Sequence, residues 1–129
     1  MRKSIVIGIL VVAMVCFAGF ADAARPAVVT TDKASYESGE IVTVYVSNEG
    51  NQPVTIRGGF YVTTPKNEPV YDPYWAIIYI TILPGGVVTY HWNQTFANSA
   101  FGADGQPVPT GEYVVRQFST SSHARITIS

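Results

Sequence analysis

Residues 83–116 read LPGGVVTYHWNQTFANSAFGADGQPVPTGEYVVR, and this stretch decides the fold that the sequence predicts. A Pro-Gly-Gly turn leads into an alternating run at 87–92, a long polar loop follows, and Pro-Thr-Gly leads into a second run that begins at Gly111. Proline and glycine mark turns, and alternation between two faces is the period of a β-strand. The stretch therefore predicts two strands joined by a loop.

The rest of the chain repeats this β pattern. In the run 41–47, Val42, Val44 and Val46 share one face, which we expect to be buried because strand side chains alternate. No window has the capped 3.6-residue period of an amphipathic helix. Short strands with turn residues between them predict an antiparallel β-sandwich of about seven or eight strands.

Three local expectations follow from the turns and the apolar runs. Residues 48–51 break one run before the next begins, which predicts a hairpin. Gly58 and Gly59 interrupt a strand at 54–63, either as a bulge or as a close backbone approach. The run 74–83 predicts a strand that is apolar on both faces. One face is expected in the core, and the other is either covered by a loop or offered to a partner.

The N-terminus has the three parts of a secretory signal peptide. A basic start, MRKS, precedes an uncharged apolar run at 5–20, and ADA at 21–23 is a small-residue cleavage site. The alternative is an uncleaved anchor, but the run is shorter than the roughly 20 residues of a membrane-spanning helix. We expect residues 1–23 to be a signal peptide and residues 24–129 to be one domain. That mature domain is expected to be secreted or held at the cell surface, with no membrane span.

The composition of the mature domain argues against several partners. Residues 1–23 carry two of the eight basic and one of the nine acidic residues, which leaves six against eight and a formal charge of −2. Nucleic acids and anionic membranes need a concentrated basic face, so neither is an expected partner. Cys16 is the single cysteine and lies in the apolar run. The mature domain therefore has no disulfide and relies on a packed core.

Several short motifs resemble the BsuPI family of small immunoglobulin-like domains, which is named for an intracellular proteinase inhibitor. The motifs are N-x-G-x-x-P-V-T-I at 48–56, LPGG at 83–86, WNQ at 92–94, GQPVP at 105–109 and GEY at 111–113. The resemblance covers 39–116 and implies an immunoglobulin-like sandwich that binds a protein, as a proteinase inhibitor does. The export signal departs from the namesake's location, and no inhibitory loop is matched residue by residue.

Two aromatic residues of the deciding stretch are expected in the core. Tyr113 follows a Pro-Thr-Gly turn, so it can bury its ring and donate a hydrogen bond from its hydroxyl to a nearby loop backbone, as in a tyrosine corner. Trp92 is expected to pack between the sheets. Both residues are therefore interpreted as structural rather than as ligand-binding.

The loop 96–105, FANSAFGADG, carries two phenylalanines among small residues. Loops of this length in compact domains are often binding elements or packed loops. One hypothesis makes Phe96, Phe101 and Asp104, with the rim prolines Pro107 and Pro109, the contact surface for a partner. The other, favoured because exposed apolar pairs are uncommon on monomers, has the two phenylalanines cap the core.

The sequence carries no convincing catalytic, metal or cofactor site. His91 and His123 lack the spacing of metal ligands, and the serines at 119–122 have no nucleophile elbow or oriented base. Asn93 opens a glycosylation sequon, NQT, that an exported chain could use. We therefore expect no enzyme activity and no cofactor.

Two functions from different classes remain. The first is an exported non-enzymatic protein-binding module whose partner is a protease or an envelope protein. The alternative is a structural subunit of a cell-surface filament or layer, which assembles when residues 24–31 add as a strand to a neighbour's sheet edge. The second hypothesis rests on the low charge and on the apolar second face of 74–83.

Overall fold

The computed structural model describes residues 27–129, which form ten β-strands and no helix. The strands are β1 (Ala27–Thr31), β2 (Ser35–Tyr36), β3 (Val42–Asn48), β4 (Val54–Arg57), β5 (Tyr61–Thr63), β6 (Pro69–Tyr71), β7 (Tyr79–Ile82), β8 (Val87–Trp92), β9 (Gly111–Arg116) and β10 (His123–Ile128). The prediction of an all-β fold is confirmed for residues 27–129. The strands are more numerous than expected because glycines and prolines divide the longer apolar runs.

The ten strands form three sheets. The largest has the order β2-β10-β9-β5-β6, the second has the order β1-β3-β8, and β4 pairs with β7. Neighbouring strands are antiparallel except β2 and β10, which run parallel. β9 and β10 pair along their whole length, from Gly111 opposite Ile128 to Arg116 opposite His123.

All three sheets contribute side chains to one apolar core. Val42, Val44 and Val46 on β3 are 0% exposed, so the predicted buried face is confirmed. Ile56 and Ile82 reach the same core from the pair β4 and β7. Full burial of a valine side chain contributes about 1.5–3 kcal/mol, which makes the β3 face a main source of stability.

The hairpin predicted at 48–51 is wrong. β3 pairs with β1 and β8, whereas β4 pairs with β7, so the chain changes sheets after Asn48. The buried Asn48 amide Nδ2 donates to the Gln52 carbonyl at 2.7 Å and to the Ile82 carbonyl at 2.8 Å. These two hydrogen bonds tie the turn to the end of β7, which places β4 beside β7 rather than beside β3.

Gly58 and Gly59 divide the predicted strand 54–63 into two strands of different sheets. Gly59 has a φ of 104°, which favours glycine, and a Cβ at this position would lie 2.7 Å from ring carbons of Trp75. Of the two expected explanations, the structure therefore gives the close backbone approach. The Trp75 indole also donates from Nε1 to the Phe60 carbonyl at 2.7 Å, which holds the ring against the segment where the chain passes from β4 to β5.

The prediction of one strand over 74–83 is only partly correct, because β7 begins at Tyr79. The preceding residues are irregular: Trp75 turns towards Gly59, and the carbonyl of Ile78 accepts a hydrogen bond from the Gly58 amide at 2.7 Å. Ile82 is 4% exposed and belongs to the core, whereas Ile78 is 59% exposed. The face that carries Ile78 and Ile82 is therefore buried at its C-terminal end and exposed at Ile78.

Residues 1–26 lie outside the described part of the chain, and the predicted signal peptide at 1–23 lies outside it with them. Within residues 27–129, no helix has the length and apolar character needed to cross a membrane.

Candidate functional site

The loop after Trp92 is closed by hydrogen bonds along its own backbone. The Val108 amide donates to the Gln94 carbonyl, and the Phe96 amide donates to the Gln106 carbonyl, both at 2.9 Å. The Gly105 amide returns to the Phe96 carbonyl at 2.9 Å. These contacts make the predicted contact loop a packed loop whose two ends lie side by side.

The residues predicted for the contact surface separate within this loop. Phe96 is 8% exposed and belongs to the core, where Gly102 covers its ring, whereas Phe101 is 57% exposed. The Asp104 carboxylate accepts from the Asn98 amide at 2.8 Å, so it shapes the loop from within. The rim residues Pro107 and Pro109 are exposed on the irregular segment that closes the loop. Phe101 is thus the aromatic ring that the loop presents, while Phe96 caps the core.

Trp92 and Tyr113 hold the two ends of the loop from the core. Trp92 is 1% exposed and donates from Nε1 to the Thr95 carbonyl at 3.0 Å. Tyr113 is 5% exposed and its hydroxyl donates to the Pro109 carbonyl at 2.5 Å. The core placement and the tyrosine-corner hydrogen bond predicted from the sequence are both confirmed.

The sequon residue Asn93 is exposed at the end of β8. Its side-chain oxygen accepts a hydrogen bond from the Thr95 hydroxyl at 2.7 Å, and Thr95 itself pairs with Pro107 across the loop closure. The carboxamide is therefore reachable from solvent beside the hydroxyl that completes the sequon.

A cleft of about 570 Å³ lies between this loop and the chain that follows β6. Pro73 and Tyr74 form one side, and residues from Ala97 to Asp104 form the other. Tyr74 is 92% exposed. The loop predicted as a contact element and the apolar run 74–83 therefore meet at this cleft, although they are separate in the sequence.

Two smaller pockets are lined by the same segment of chain that follows β6. One, of about 230 Å³, is lined by Arg57, Asp72 and Phe118 together with Tyr74 and Trp75. The other, of about 190 Å³, is apolar and uses Trp75, Ile78, Ile80 and Tyr90. Because Tyr74 is shared by the first two hollows and Trp75 by the last two, the three form one series of hollows, which we call the 74–75 groove.

Most of the large exposed apolar side chains of residues 27–129 lie in the segment 74–83, which lines the 74–75 groove through Tyr74 and Ile78. Five of the eight large hydrophobic side chains that are exposed among residues 27–129 fall within 74–83. They are Tyr74, Ile77, Ile78, Tyr79 and Leu83. Single exposed apolar residues are ordinary, whereas five within one ten-residue segment are more than scattered exposure explains and favour an interaction segment. The sequence showed that both faces of this run are apolar, and the structure shows that the exposed side chains come from both faces.

Arg57 is the groove residue that sequence reasoning missed. Its guanidinium carbon lies 4.4 Å from the centre of the Phe118 ring, and its Nε is buried without a hydrogen-bond partner among residues 27–129. A single arginine at the end of a strand has no motif that would signal it. The pocket exists only because β4, the chain after β6 and the chain after β9 meet there.

The ionisable groups with shifted pKa values lie outside the lining of these hollows. Burial raises the pKa of Tyr36, Tyr71 and Tyr113, and in Tyr36 a hydrogen bond to the Asp32 carboxylate raises it further. On the surface, the hydrogen bond between Lys33 and Glu40 raises the pKa of Lys33 and lowers that of Glu40. These shifts follow from core packing and from one surface ion pair of 2.6 Å.

The two histidines remain apart from each other and from any cluster of ligands. His91 Nδ1 lies 3.5 Å from the Thr43 hydroxyl, and His123 Nδ1 lies 3.1 Å from the Ser121 carbonyl. No group of three or more His, Cys, Asp or Glu side chains comes together within residues 27–129. Each histidine is accounted for by a local polar contact.

Comparison with protein-family models and with curated proteins gives no match to this chain. Among solved structures, the chain is similar to a β-glucosidase from Erythrobacter marinus, with 19% sequence identity and a TM-score of 0.46. The similarity covers 79% of this chain and 15% of the β-glucosidase, so this chain spans a small part of that protein's length.

Proposed function

We propose that this chain is an exported, non-enzymatic protein-binding module that contacts its partner through the 74–75 groove and the apolar side chains beside it. The observation that carries the proposal is the concentration of exposed Tyr74, Ile77, Ile78, Tyr79 and Leu83 in one segment. Burying such a group against a protein is favourable, because each Å² of apolar surface removed from water contributes about 25 cal/mol.

The proposal also assigns the chain an immunoglobulin-like sandwich. The strand pairing supports it, because β1, β3 and β8 correspond in order to strands A, B and E of that fold, and β5, β9 and β10 to C, F and G. The tyrosine corner of Tyr113 supports it further, because its hydroxyl donates back four residues to the Pro109 carbonyl, just before the strand that corresponds to F. A rigid sandwich suits a binding module because it holds its connecting loops in fixed positions.

The class of partner comes from the sequence. The signal segment directs the chain out of the cell, where proteases and envelope proteins are the expected partners, and the resemblance to the BsuPI family adds the proteinase-inhibitor form of binding. The loop that presents Phe101 lies on one side of the groove and Tyr74 on the other. A partner bound in the groove would therefore contact both the loop and Tyr74.

Self-assembly is the competing use of the same surface. The strand expected to add to a neighbour is β1, and it pairs with β3 along its full length, from Ala27 opposite Asn48 to Thr31 opposite Val44. Donation of this strand would require breaking that pairing. Although β1 lies at a sheet edge, its Val29 amide already donates to the Ser122 hydroxyl at 2.9 Å, so self-association would instead use β7, which pairs on one side with β4.

The test uses protein purified from cells that express the full-length chain. Mass spectrometry of the exported product is expected to give a chain that begins at Ala24. Co-purification from the same compartment is expected to capture a discrete partner, and Ile77→Ser is expected to abolish the capture. The matched control is Ile41→Ser, because Ile41 is 52% exposed but lies outside the segment.

Two outcomes would contradict the proposal, and a further measurement separates its two forms of binding. Equal capture by the Ile77→Ser and Ile41→Ser proteins would remove the groove as the contact surface. Dimers or filaments in size exclusion and electron microscopy, lost with Ile77→Ser, would favour self-assembly. Titration of the captured partner's activity, or of a panel of secreted proteases, separates the forms of binding: no inhibition removes the inhibitor form and leaves the envelope-protein form.

A further inference from the structure

We propose that the pocket around Arg57 binds one carboxylate group of the protein partner, carried next to an apolar side chain. The inference rests on the proposed function and names the chemistry that the partner must present. It is carried by an arginine that is held in place, partly buried and unpaired.

The Arg57 guanidinium is fixed against an aromatic wall. It lies 4.4 Å from the centre of the Phe118 ring, and Phe118 in turn stacks on Tyr61 with ring centres 5.1 Å apart. Arg57 is also the last residue of β4, and its backbone amide donates to the Ser119 hydroxyl at 2.9 Å. Stacking leaves the edges of the planar guanidinium available for hydrogen bonds in the plane of the group.

No acidic group of the described chain neutralises Arg57. The one ion pair within residues 27–129 joins Lys33 and Glu40, so the Asp72 carboxylate lies beyond ion-pair distance although it lines the same pocket. The buried Arg57 Nε has no hydrogen-bond partner there either. The terminal nitrogens of the guanidinium make no hydrogen bond within residues 27–129 and, unlike Nε, are not enclosed, so they are the donors left for an incoming acceptor.

The complement of a fixed guanidinium is a planar oxyanion. Arginine binds carboxylates and phosphates through paired N–H donors, and such charge-assisted hydrogen bonds are about twice as strong as neutral ones. Asp72 in the pocket wall disfavours additional negative charge, which selects a carboxylate with one charge over a phosphate with two. The pocket volume of about 230 Å³ accommodates a side-chain carboxylate with its methylene groups.

The apolar part of the ligand is set by the neighbouring pocket. Trp75 separates the Arg57 pocket from the hollow of about 190 Å³ that Ile78, Ile80 and Tyr90 line. A peptide that places a carboxylate on Arg57 would bring an adjacent aliphatic side chain to this hollow. The carboxylate can come from an acidic side chain or from the C-terminus of a chain, and both sources have the same chemistry.

The test titrates the purified protein with three short peptides that share a leucine. The first has an internal glutamate before the leucine and an amidated C-terminus, the second has glutamine in place of glutamate, and the third keeps glutamine but ends in a free carboxylate. The readouts are the NMR signal of the Arg57 Nε–H and the fluorescence of Trp75. We expect saturable binding of the first or third peptide, and about tenfold or more weaker binding of the second, because charged hydrogen bonds contribute more than neutral ones.

Variants identify the residue that recognises the charge. Arg57→Gln is expected to reduce the preference for the charged peptide at least about tenfold, whereas Arg125→Gln, on the exposed side of β10, is expected to leave it unchanged. Asp72→Asn removes the like charge and is expected to tighten binding, which tests the pocket without disturbing Arg57. Thermal unfolding of each variant checks that it folds.

Equal affinity for the charged and neutral peptides, or charge-dependent binding that survives in the Arg57→Gln protein, would overturn the inference. So would the absence of binding by all three peptides. In each of these cases, partner capture that depends on Ile77 would leave the proposed function standing. Conversely, Arg57-dependent peptide binding without any captured partner would count against the proposed function and not against the pocket.

Discussion

The rings of Trp92 and Tyr113 meet edge to face in the core, with centres 6.0 Å apart and planes at 72°. Each side chain also donates a hydrogen bond to the loop backbone. Trp92 donates from Nε1 to the Thr95 carbonyl, and the Tyr113 hydroxyl donates to the Pro109 carbonyl. The two residues therefore pack against each other and also fix both ends of the loop that forms one side of the groove. Core packing and the shape of the candidate site are coupled at this pair.

Tyr113→Phe is expected to lower the free energy of unfolding by about 0.5–1.5 kcal/mol, because it removes the hydrogen bond to Pro109 and keeps the ring. Urea unfolding measures the change. The control is Tyr79→Phe. Tyr79 is 68% exposed, so we expect this substitution to change the free energy of unfolding by less than about 0.5 kcal/mol. Equal effects of the two substitutions would contradict the structural role of the Tyr113 hydroxyl.

Gly59→Ala is expected to destabilise the protein more than Gly39→Ala. Both glycines have positive φ, 104° and 90°, so both substitutions incur backbone strain. A Cβ at Gly59 would lie 2.7 Å from ring carbons of Trp75, whereas a Cβ at Gly39 meets nothing within 4 Å. Overpacking adds about 1–3 kcal/mol at Gly59 alone. Urea unfolding and Trp75 fluorescence measure the difference, and matching values for the two variants would refute the close approach.

Gln94→Ala is expected to cost about 1–3 kcal/mol, because it removes three hydrogen bonds that a buried side-chain amide makes to the backbone at 37–40. The Gln94 amide Nε2 donates to the carbonyls of Glu37 and Glu40 at 2.9 and 3.0 Å, and its oxygen accepts from the Gly39 amide at 3.1 Å. Gln106→Ala, at an exposed position of the same loop, is the control and should be near neutral. Denaturation curves of the two variants that coincide would show that this buried amide does not hold the chain at 37–40.

Stability is expected to fall as the pH rises above the ordinary tyrosine pKa of 10.0. Burial raises the folded-state pKa of Tyr36, Tyr71 and Tyr113, so these tyrosines ionise first in the unfolded chain. Their contribution is complete below about pH 10 and is lost progressively above it. Urea midpoints measured between about pH 8 and 11 test this, and Tyr36→Phe should reduce the slope. A midpoint that is constant or rises over this range would contradict it.

Local patterns in the sequence predicted the parts of the fold that depend on neighbouring residues. The alternation of Val42, Val44 and Val46 predicted a core face correctly, because every second side chain of a half-buried strand points into the core. The position of Tyr113 after a Pro-Thr-Gly turn likewise predicted its corner hydrogen bond. Both features are settled within a few residues of chain.

Pairing between distant segments could not be read in the same way. Asn48 directs the chain to β7 through a hydrogen bond to Ile82, which lies 34 residues further on, and no turn signal encodes that choice. The Arg57 pocket needs Asp72 and Phe118 to approach from separate segments. The sequence did reveal that 74–83 is too apolar for a solvent-facing strand, but not which of its side chains are exposed.

The central claim is that the segment beside the 74–75 groove contacts a protein partner. The most direct measurement is photo-crosslinking in cells that export the full-length chain, with benzoyl-phenylalanine at position 74 or, as the control, at position 41. Both positions are exposed, at 92% and 52%. We predict a discrete adduct with another protein, identified by mass spectrometry, from position 74 and not from position 41. No adduct from position 74, the same adducts from both positions, or an adduct with a second copy of this chain would contradict the claim.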